Sequence, residues 1–254
     1  MGLLDGKVAV VTGGGRSIGK AFSAALAGEG ASVAIADIAE EAAATAEALA
    51  ADHGVETMSM RTDVTSEEDV KALVAAVIER FGRIDILVNN AGLFAAMPKL
   101  PYDEISVELW DKVMAVNARG VFLMCKHVAP HMVRAKSGKI INIGSGTAHK
   151  GVPNMLAYVS SKAAILGLTR SLAREVGPHG VNVNTLAPGL TESESVLETG
   201  RHHLDHAERT IQTRAMPRKE TPADLVGALI FLASGQSDFV TAQTIAVDGG
   251  SVVT

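Results

Sequence analysis

A single cysteine, Cys125, in a chain of 254 residues leaves no partner for an internal disulfide and no thiolate set for a multi-cysteine zinc site. Basic residues are in the minority, 23 against 28 acidic, and no Lys/Arg block interrupts the chain, which argues against nucleic acid as the main partner. Long hydrophobic runs are missing. The longest reach about five to eight residues, far short of the roughly 20 that a membrane-spanning helix needs. Met1-Gly2-Leu3-Leu4-Asp5-Gly6 leads straight into a strand-like segment with no signal peptide, and Gly6 stands where a myristoylation site needs Ser or Thr. No repeat, low-complexity tract or linker divides the sequence. These absences predict one soluble, cytoplasmic domain over residues 1–254, with no membrane partner, and 47% apolar residues to build its core.

What is present is alternation. Short runs rich in Val and Ile take turns with alanine-rich helical patterns, the signature of βαβ units on a parallel sheet. Strands are predicted at Lys7–Thr12, Ser32–Asp37, Thr57–Arg61, Ile84–Asn89, Lys139–Ile143, Val181–Leu186 and Thr244–Val247. Continuous apolarity, as in Val8-Ala9-Val10-Val11, suits strands covered on both faces. Helices are predicted at Ile18–Gly28, Glu40–Asp52, Ser106–Arg134, Met155–Val176 and Pro222–Ala233. Another begins at Thr65, which with Glu68 matches a capping box. Thr191 to Lys219 breaks the rhythm: polar, without an apolar stripe, and placed after a strand. Ligands in such sheets bind beyond the carboxyl ends of the strands, so this stretch is expected to be a substrate lid.

Two groups of residues carry chemistry. Thr12 ends the first strand, and Gly13 to Gly19, with Arg16, Ser17 and Ile18 between, turn the chain into a helix. Glycines there allow a tight turn and let backbone approach a pyrophosphate at the helix N-terminus. Asp37, eighteen residues beyond Gly19, ends the second strand, where a carboxylate can accept the ribose hydroxyls of NAD and repel the 2′-phosphate of NADP. Arg16 pulls the other way but lies farther from the ribose. The second group is Ser145, Tyr158 and Lys162. A phenol with an ordinary pKa near 10 needs help to act as a base, and a lysine one helical turn away supplies positive charge. Tyr158, Lys162 and Thr169 fall within about 40° on a helical wheel, opposite a stripe of small residues, Ser160, Ala164, Gly167 and Ser171.

With Asp63-Val64, Asn89-Asn90-Ala91-Gly92, Asn117, Asn184-x-x-x-Pro188-Gly189 and Asp248-Gly249-Gly250 added in order, the chain resembles the short-chain dehydrogenase/reductase family over essentially its whole length. The resemblance implies a Rossmann-type α/β fold, a seven-stranded, doubly wound parallel sheet. It implies a catalytic set of Asn117, Ser145, Tyr158 and Lys162, with Asn117 bending its helix and holding a water that links Lys162 to solvent. It further implies that Asp63 and Val64 border the adenine, that Asn90, Ala91 and Gly92 line the cofactor's inner half, and that Pro188, Gly189 and Thr191 approach the nicotinamide. Three positions depart from the family pattern. Ser17 replaces its second turn glycine, and its hydroxyl is expected to donate to a phosphate. Thr191 and Ser193 both stand near the place of one family threonine. Gly144 stands where a serine is common. A Ser-Ile pair in the turn is similar to the enoyl reductases, but those use a longer tyrosine-to-lysine spacing.

The expected function is hydride transfer between NAD and a hydrophobic secondary alcohol or ketone, in a pocket with apolar walls from Phe94, Ala95, Ala96 and Leu190. Asp37 disfavours an NADPH-dependent 3-oxoacyl reductase. The complete catalytic set speaks against a non-catalytic NAD-binding regulator or scaffold. His202 and His206, at i and i+4 with Asp205 and Glu208 nearby, form a ligand-like face, but no third ligand is evident and no metal is expected. His149 either lines the pocket or sits in a surface turn. A homotetramer is expected, assembled through the helices at 106–134 and 155–176.

Overall fold

In the computed structural model, which describes residues 2–200, 204 and 207–252, seven strands form one parallel sheet. They are β1 (Val8–Thr12), β2 (Ser32–Asp37), β3 (Thr57–Arg61), β4 (Ile86–Asn89), β5 (Gly138–Ile143), β6 (Val181–Pro188) and β7 (Thr244–Val247). Their order, β3-β2-β1-β4-β5-β6-β7, reverses between β1 and β4. A crevice opens at such a reversal, at the carboxyl ends of the strands.

Helices cover both faces. On one side lie α1 (Ser17–Gly28) and α2 (Glu41–His53); on the other lie α3 (Glu67–Phe81), α4 (Val107–Met114) and α5 (Gly120–Ala135). The short α6 (Thr147–Lys150) precedes α7 (Leu156–Val176), which joins the second side. Beyond β6 come α8 (Glu194–Glu198), α9 (Ala207–Gln212) and α10 (Pro222–Ala233). Alternation along β1 explains its unbroken apolar run. Val8 and Val10 enter the core under α3, α5 and α7, while Ala9 and Val11 enter the core under α1, α2 and α10. Each fully buried Val, Leu or Ile contributes about 1.5–3 kcal/mol to this two-sided core.

One predicted cap moves. α3 starts after Ser66, not at Thr65: the Ser66 hydroxyl accepts from the Asp69 N–H at 3.2 Å. Thr65 instead donates to the Asp63 carboxylate at 2.8 Å, so Asp63 draws its hydroxyl out of the capping position. Residues 115–119, Ala115 to Arg119, form a turn of π-helix between α4 and α5, a geometry found often at functional sites.

Candidate active site

A cleft of about 1360 Å³ runs across the carboxyl ends of the strands. A single small-molecule pocket is roughly 300–1,000 Å³, so there is room for a dinucleotide and a second molecule. The turn after β1 forms one wall, and its glycines are sterically required: a Cβ on Gly19 would lie 1.8 Å from the Gly13 carbonyl oxygen. Asn90 donates its amide to the Thr12 and Gly13 carbonyls at 3.0 and 2.9 Å, and the Thr12 hydroxyl accepts from the Asn90 and Ala91 N–H groups at 3.0 Å. Asn90 thus shapes the turn as well as lining the cleft.

Ser17, at the first residue of α1, has φ +56°, the left-handed region that favours glycine. Its N–H donates to the Glu194 carboxylate at 3.3 Å, and Arg16 pairs with Glu198 at 2.6 Å. A chain carboxylate therefore already sits on the N-terminal donor of α1, which fits a place for an anionic phosphate oxygen. Asp37 is buried at the end of β2 and lines the same cleft. Its two oxygens accept from the Gly15 and Ala39 N–H groups at 2.9 and 3.1 Å. A carboxylate offers about four acceptor sites, so capacity remains for two hydroxyls.

The second wall is built by the end of β5 and by α7. Ser145, Tyr158 and Lys162 are buried there, the phenol tilted at 48° to Phe94 with ring centroids 5.0 Å apart. The Ser145 oxygen accepts from the Thr147 N–H at 3.2 Å and the Thr147 hydroxyl at 3.0 Å. With those donors in place, the Ser145 hydrogen is left to point elsewhere. Burial pushes the Tyr158 phenol up to about 12, and a hydrogen bond to Ser145 works against that rise. Burial lowers Lys162 to about 8. The Lys162 ammonium lies 5.9 Å from the Tyr158 ring centroid and donates to the Ile143 carbonyl at 2.7 Å.

Every cofactor-binding residue expected from the sequence borders this cleft: Gly13, Arg16, Ser17, Ile18, Gly19, Asp37, Asp63, Val64, Asn90, Ala91, Gly92, Pro188, Gly189 and Thr191. Asn117 lies behind the wall, inside the π turn. It accepts from the Leu93 N–H at 2.7 Å and donates to the Leu93 carbonyl at 3.2 Å and the Ser161 hydroxyl at 3.1 Å. It thereby clamps the loop after β4 to α7.

Several participants escape sequence reasoning. Thr147 leaves only a weak signal, a hydroxyl two residues after Ser145. Glu220 leaves none: its buried carboxylate accepts from the Thr191 hydroxyl at 2.7 Å and the Gly189 N–H at 3.1 Å, and meets Arg214 at 3.3 Å. Burial raises the Glu220 pKa, against the pull of Thr191 and Arg214. His149 is exposed in α6 and does not border the cleft. His202, His206 and Asp205 lie outside the described residues; among the described residues no group of three metal-binding side chains occurs. Among them, too, no helix is long and apolar enough to cross a membrane.

A glycine turn and a buried carboxylate, Asp37, on one side of a cleft, with a buried serine, tyrosine and lysine on the other, fit a dinucleotide-dependent oxidoreductase. A family model described as enoyl-(acyl carrier protein) reductase matches residues 13–252. Sorbitol dehydrogenase of Cereibacter sphaeroides is 40% identical, with 98% of each chain covered. A 3-oxoacyl-acyl-carrier-protein reductase of Vibrio cholerae is 36% identical, covering 97% of this chain and 98% of the relative. The structure of NAD+-bound xylitol dehydrogenase superimposes with a TM-score of 0.91 at 34% identity, covering 97% of this chain and 99% of that one. The chain belongs to the short-chain dehydrogenase/reductase family. It is an oxidoreductase that moves a hydride between a nicotinamide cofactor and a secondary alcohol or its ketone.

Proposed function

We propose an NAD-dependent dehydrogenase of secondary alcohols that also runs as a ketone reductase, with a hydroxyl-rich carbon chain as the preferred substrate. The observation that carries this reading is Tyr158, buried beside Ser145 and Lys162 on the cleft that Asp37 also lines. Asp37 holds the adenosine ribose hydroxyls and repels a 2′-phosphate. Asp63 and Val64 border the adenine, Asn90 to Gly92 line the inner half of the cofactor, and Pro188 to Thr191 face the nicotinamide, with Thr191 or Ser193 meeting its carboxamide.

When bound, the nicotinamide supplies the hydride acceptor, or in reverse the donor, at its C4. In oxidation Tyr158, as phenolate, takes the hydroxyl proton as the carbinol hydride departs, and the product is the ketone. Ser145, its oxygen engaged by Thr147, turns its hydrogen to the reacting oxygen and stabilises the alkoxide. Lys162 donates to Ile143 with one hydrogen and keeps two for the ribose, and its ammonium, 5.9 Å from the Tyr158 ring centroid, supplies positive charge beside the phenol. Asn117 keeps the loop and α7 in register and holds the water that links Lys162 to solvent.

For the substrate, Phe94, Val152, Met155 and Val196 give apolar wall, but Asn154, Ser195 and Thr199 border the same cleft. Hydrogen-bonding groups in that wall, and the polyols named for two of the relatives above, support a polyol over a purely apolar alcohol. A panel of sugar alcohols, apolar secondary alcohols and 3-oxoacyl thioesters, with NAD or NADP and read by absorbance of the reduced cofactor, tests this. The expected result is fastest turnover of a sugar alcohol with NAD. Thioester reduction with NADPH as the best activity would overturn it. In the same assay Tyr158→Phe is expected to lower turnover by at least about 10²-fold with little change in cofactor binding. Unchanged turnover would remove the mechanism.

A further inference from the structure

We propose that Glu198 is a cofactor-specificity residue: by pairing with Arg16 it withholds a guanidinium from the 2′-phosphate of NADP and so reinforces the choice made by Asp37. This rests on the reading above, that the cleft takes a nicotinamide dinucleotide with its adenosine ribose at Asp37.

Arg16 is the only cation within the turn from Gly13 to Gly19. It stands next to Gly15, whose N–H is held by the Asp37 carboxylate at 2.9 Å. Released, Arg16 would lie beside the ribose site and could form the charge-assisted, bidentate contact with phosphate that guanidinium favours. It is not released. Its Nη2 meets the Glu198 carboxylate at 2.6 Å, and its Nε is buried without a partner.

An exposed ion pair alone contributes little to stability. In the cofactor-free chain a second contact accompanies this one, at the Ser17 N–H that a cofactor phosphate would take over, so with cofactor bound the Arg16–Glu198 pair has to hold by itself. Glu194 and Glu198 are the first and last residues of α8, four apart and so on one helical face. Glu194 takes the Ser17 N–H while Glu198 takes the Arg16 side chain, which lays the acidic face of the lid helix along the glycine turn. The consequence is electrostatic. A 2′-phosphate arriving at Asp37 would meet that carboxylate with Arg16 already neutralised by Glu198, whereas the free hydroxyl of NAD carries no charge to be penalised.

The test is calorimetric titration of the full chain with NAD+ and with NADP+. Glu198→Gln is expected to tighten NADP+ by roughly two- to fivefold, the scale of an exposed ion pair, with NAD+ changing by less than about twofold. The gain should be larger in an Asp37→Ser background, should vanish when Arg16→Gln is added, and should shrink at high salt. Equal tightening of both cofactors would overturn the proposal, because Glu198 would then be a latch on the cleft and not a selector. So would an unchanged NADP+ affinity, or a gain that survives Arg16→Gln. A wild-type chain that binds neither dinucleotide would overturn both this inference and the reading beneath it, while turnover with NAD alongside an unresponsive Glu198→Gln would overturn the inference alone.

Discussion

Lys162 and Tyr158 are pushed in opposite directions by the same burial, and each shift has a measurable consequence. In the cofactor-free chain Lys162 titrates at about 8, against an ordinary 10.5. A depressed pKa contributes stability that is present above the unfolded value and lost as pH falls through the folded one. Between about pH 8 and 10.5 the unfolded chain keeps a proton that the folded chain has shed, so stability from this group rises with pH. Tyr158, raised to about 12 from 10, contributes fully below pH 10 and loses its contribution only above it. The two windows barely overlap. Lys162→Met should therefore gain on wild type at pH 7.5 and lose part of that advantage by pH 9.5, a change on the order of 1–2 kcal/mol in chemical denaturation. Parallel pH profiles would show that Lys162 carries no such burden. Ser17 makes a second case. Ser17→Gly relieves the positive φ and should raise stability by about 0.5–1 kcal/mol, while cofactor binding weakens if the hydroxyl serves a phosphate. Thermal melts and titrations should move in opposite senses; a joint loss would mean the hydroxyl supports the fold. Sequence spacing makes the Tyr158–Lys162 pair legible, because one helical turn fixes which side chains share a face. What burial does to each group depends on Phe94, Ile143 and the sheet, which no local spacing encodes.

The inner strands were legible for a similar reason: a parallel strand covered on both sides is apolar along most of its length, as in Val8 to Val11 of β1 and Ile86 to Val88 of β4. β2 and the half-buried edge strands β3 and β7 have the bounds that sequence predicts. The start of α3 was not, because Thr65 and Ser66 compete for the cap and Asp63 decides between them. The polar stretch Thr191 to Lys219, expected to be a substrate lid, has no apolar stripe to announce Arg214 within it. Arg214 forms with Glu220 one of the most buried ion pairs among the described residues, side chains 2% and 5% exposed. Arg214 also donates to the Leu190 carbonyl at 3.0 Å and the Arg218 carbonyl at 2.7 Å, tying its own segment to both ends of the stretch from Thr191 to Lys219. Arg214→Met would strand the Glu220 carboxylate in low dielectric, a loss of about 3–5 kcal/mol. The loss is expected to be felt first as opening of this element, seen as faster amide exchange over residues 190–220 and weaker cofactor binding. Because a carboxyl group with a raised pKa favours its protonated form, the deficit should narrow as pH falls toward 5. A deficit that widens there would mean that Arg214 acts mainly through its two carbonyl contacts.

At the scale of the whole molecule, α7 presents two faces with different uses. One carries Tyr158, Ser161, Lys162, Ile165 and Thr169 into the fold. The other leaves Ala164, Gly167 and Ser171 exposed, and a Cβ added at Gly167 would meet no atom within 4 Å. Phe122, on the neighbouring α5, is 49% exposed. We propose that these surfaces pair about a twofold axis, α5 and α7 of one protomer on the same helices of another, within a homotetramer. Small residues let helix backbones approach closely, and closed symmetric assembly is the common outcome for soluble homo-oligomers. Gly167→Arg adds a long charged side chain where the isolated chain has open space. In a monomer it should therefore cost no more than the few tenths of a kcal/mol typical of a surface helix site, and Gly replacement can even stabilise. In the proposed assembly it buries an unpaired charge twice across the axis. Light scattering should then show the mass falling to that of smaller species, with activity falling in step because α7 positions Tyr158 and Lys162. An active wild-type monomer at micromolar concentration, or an unchanged mass for Gly167→Arg, would mean that this face of α7 meets only solvent.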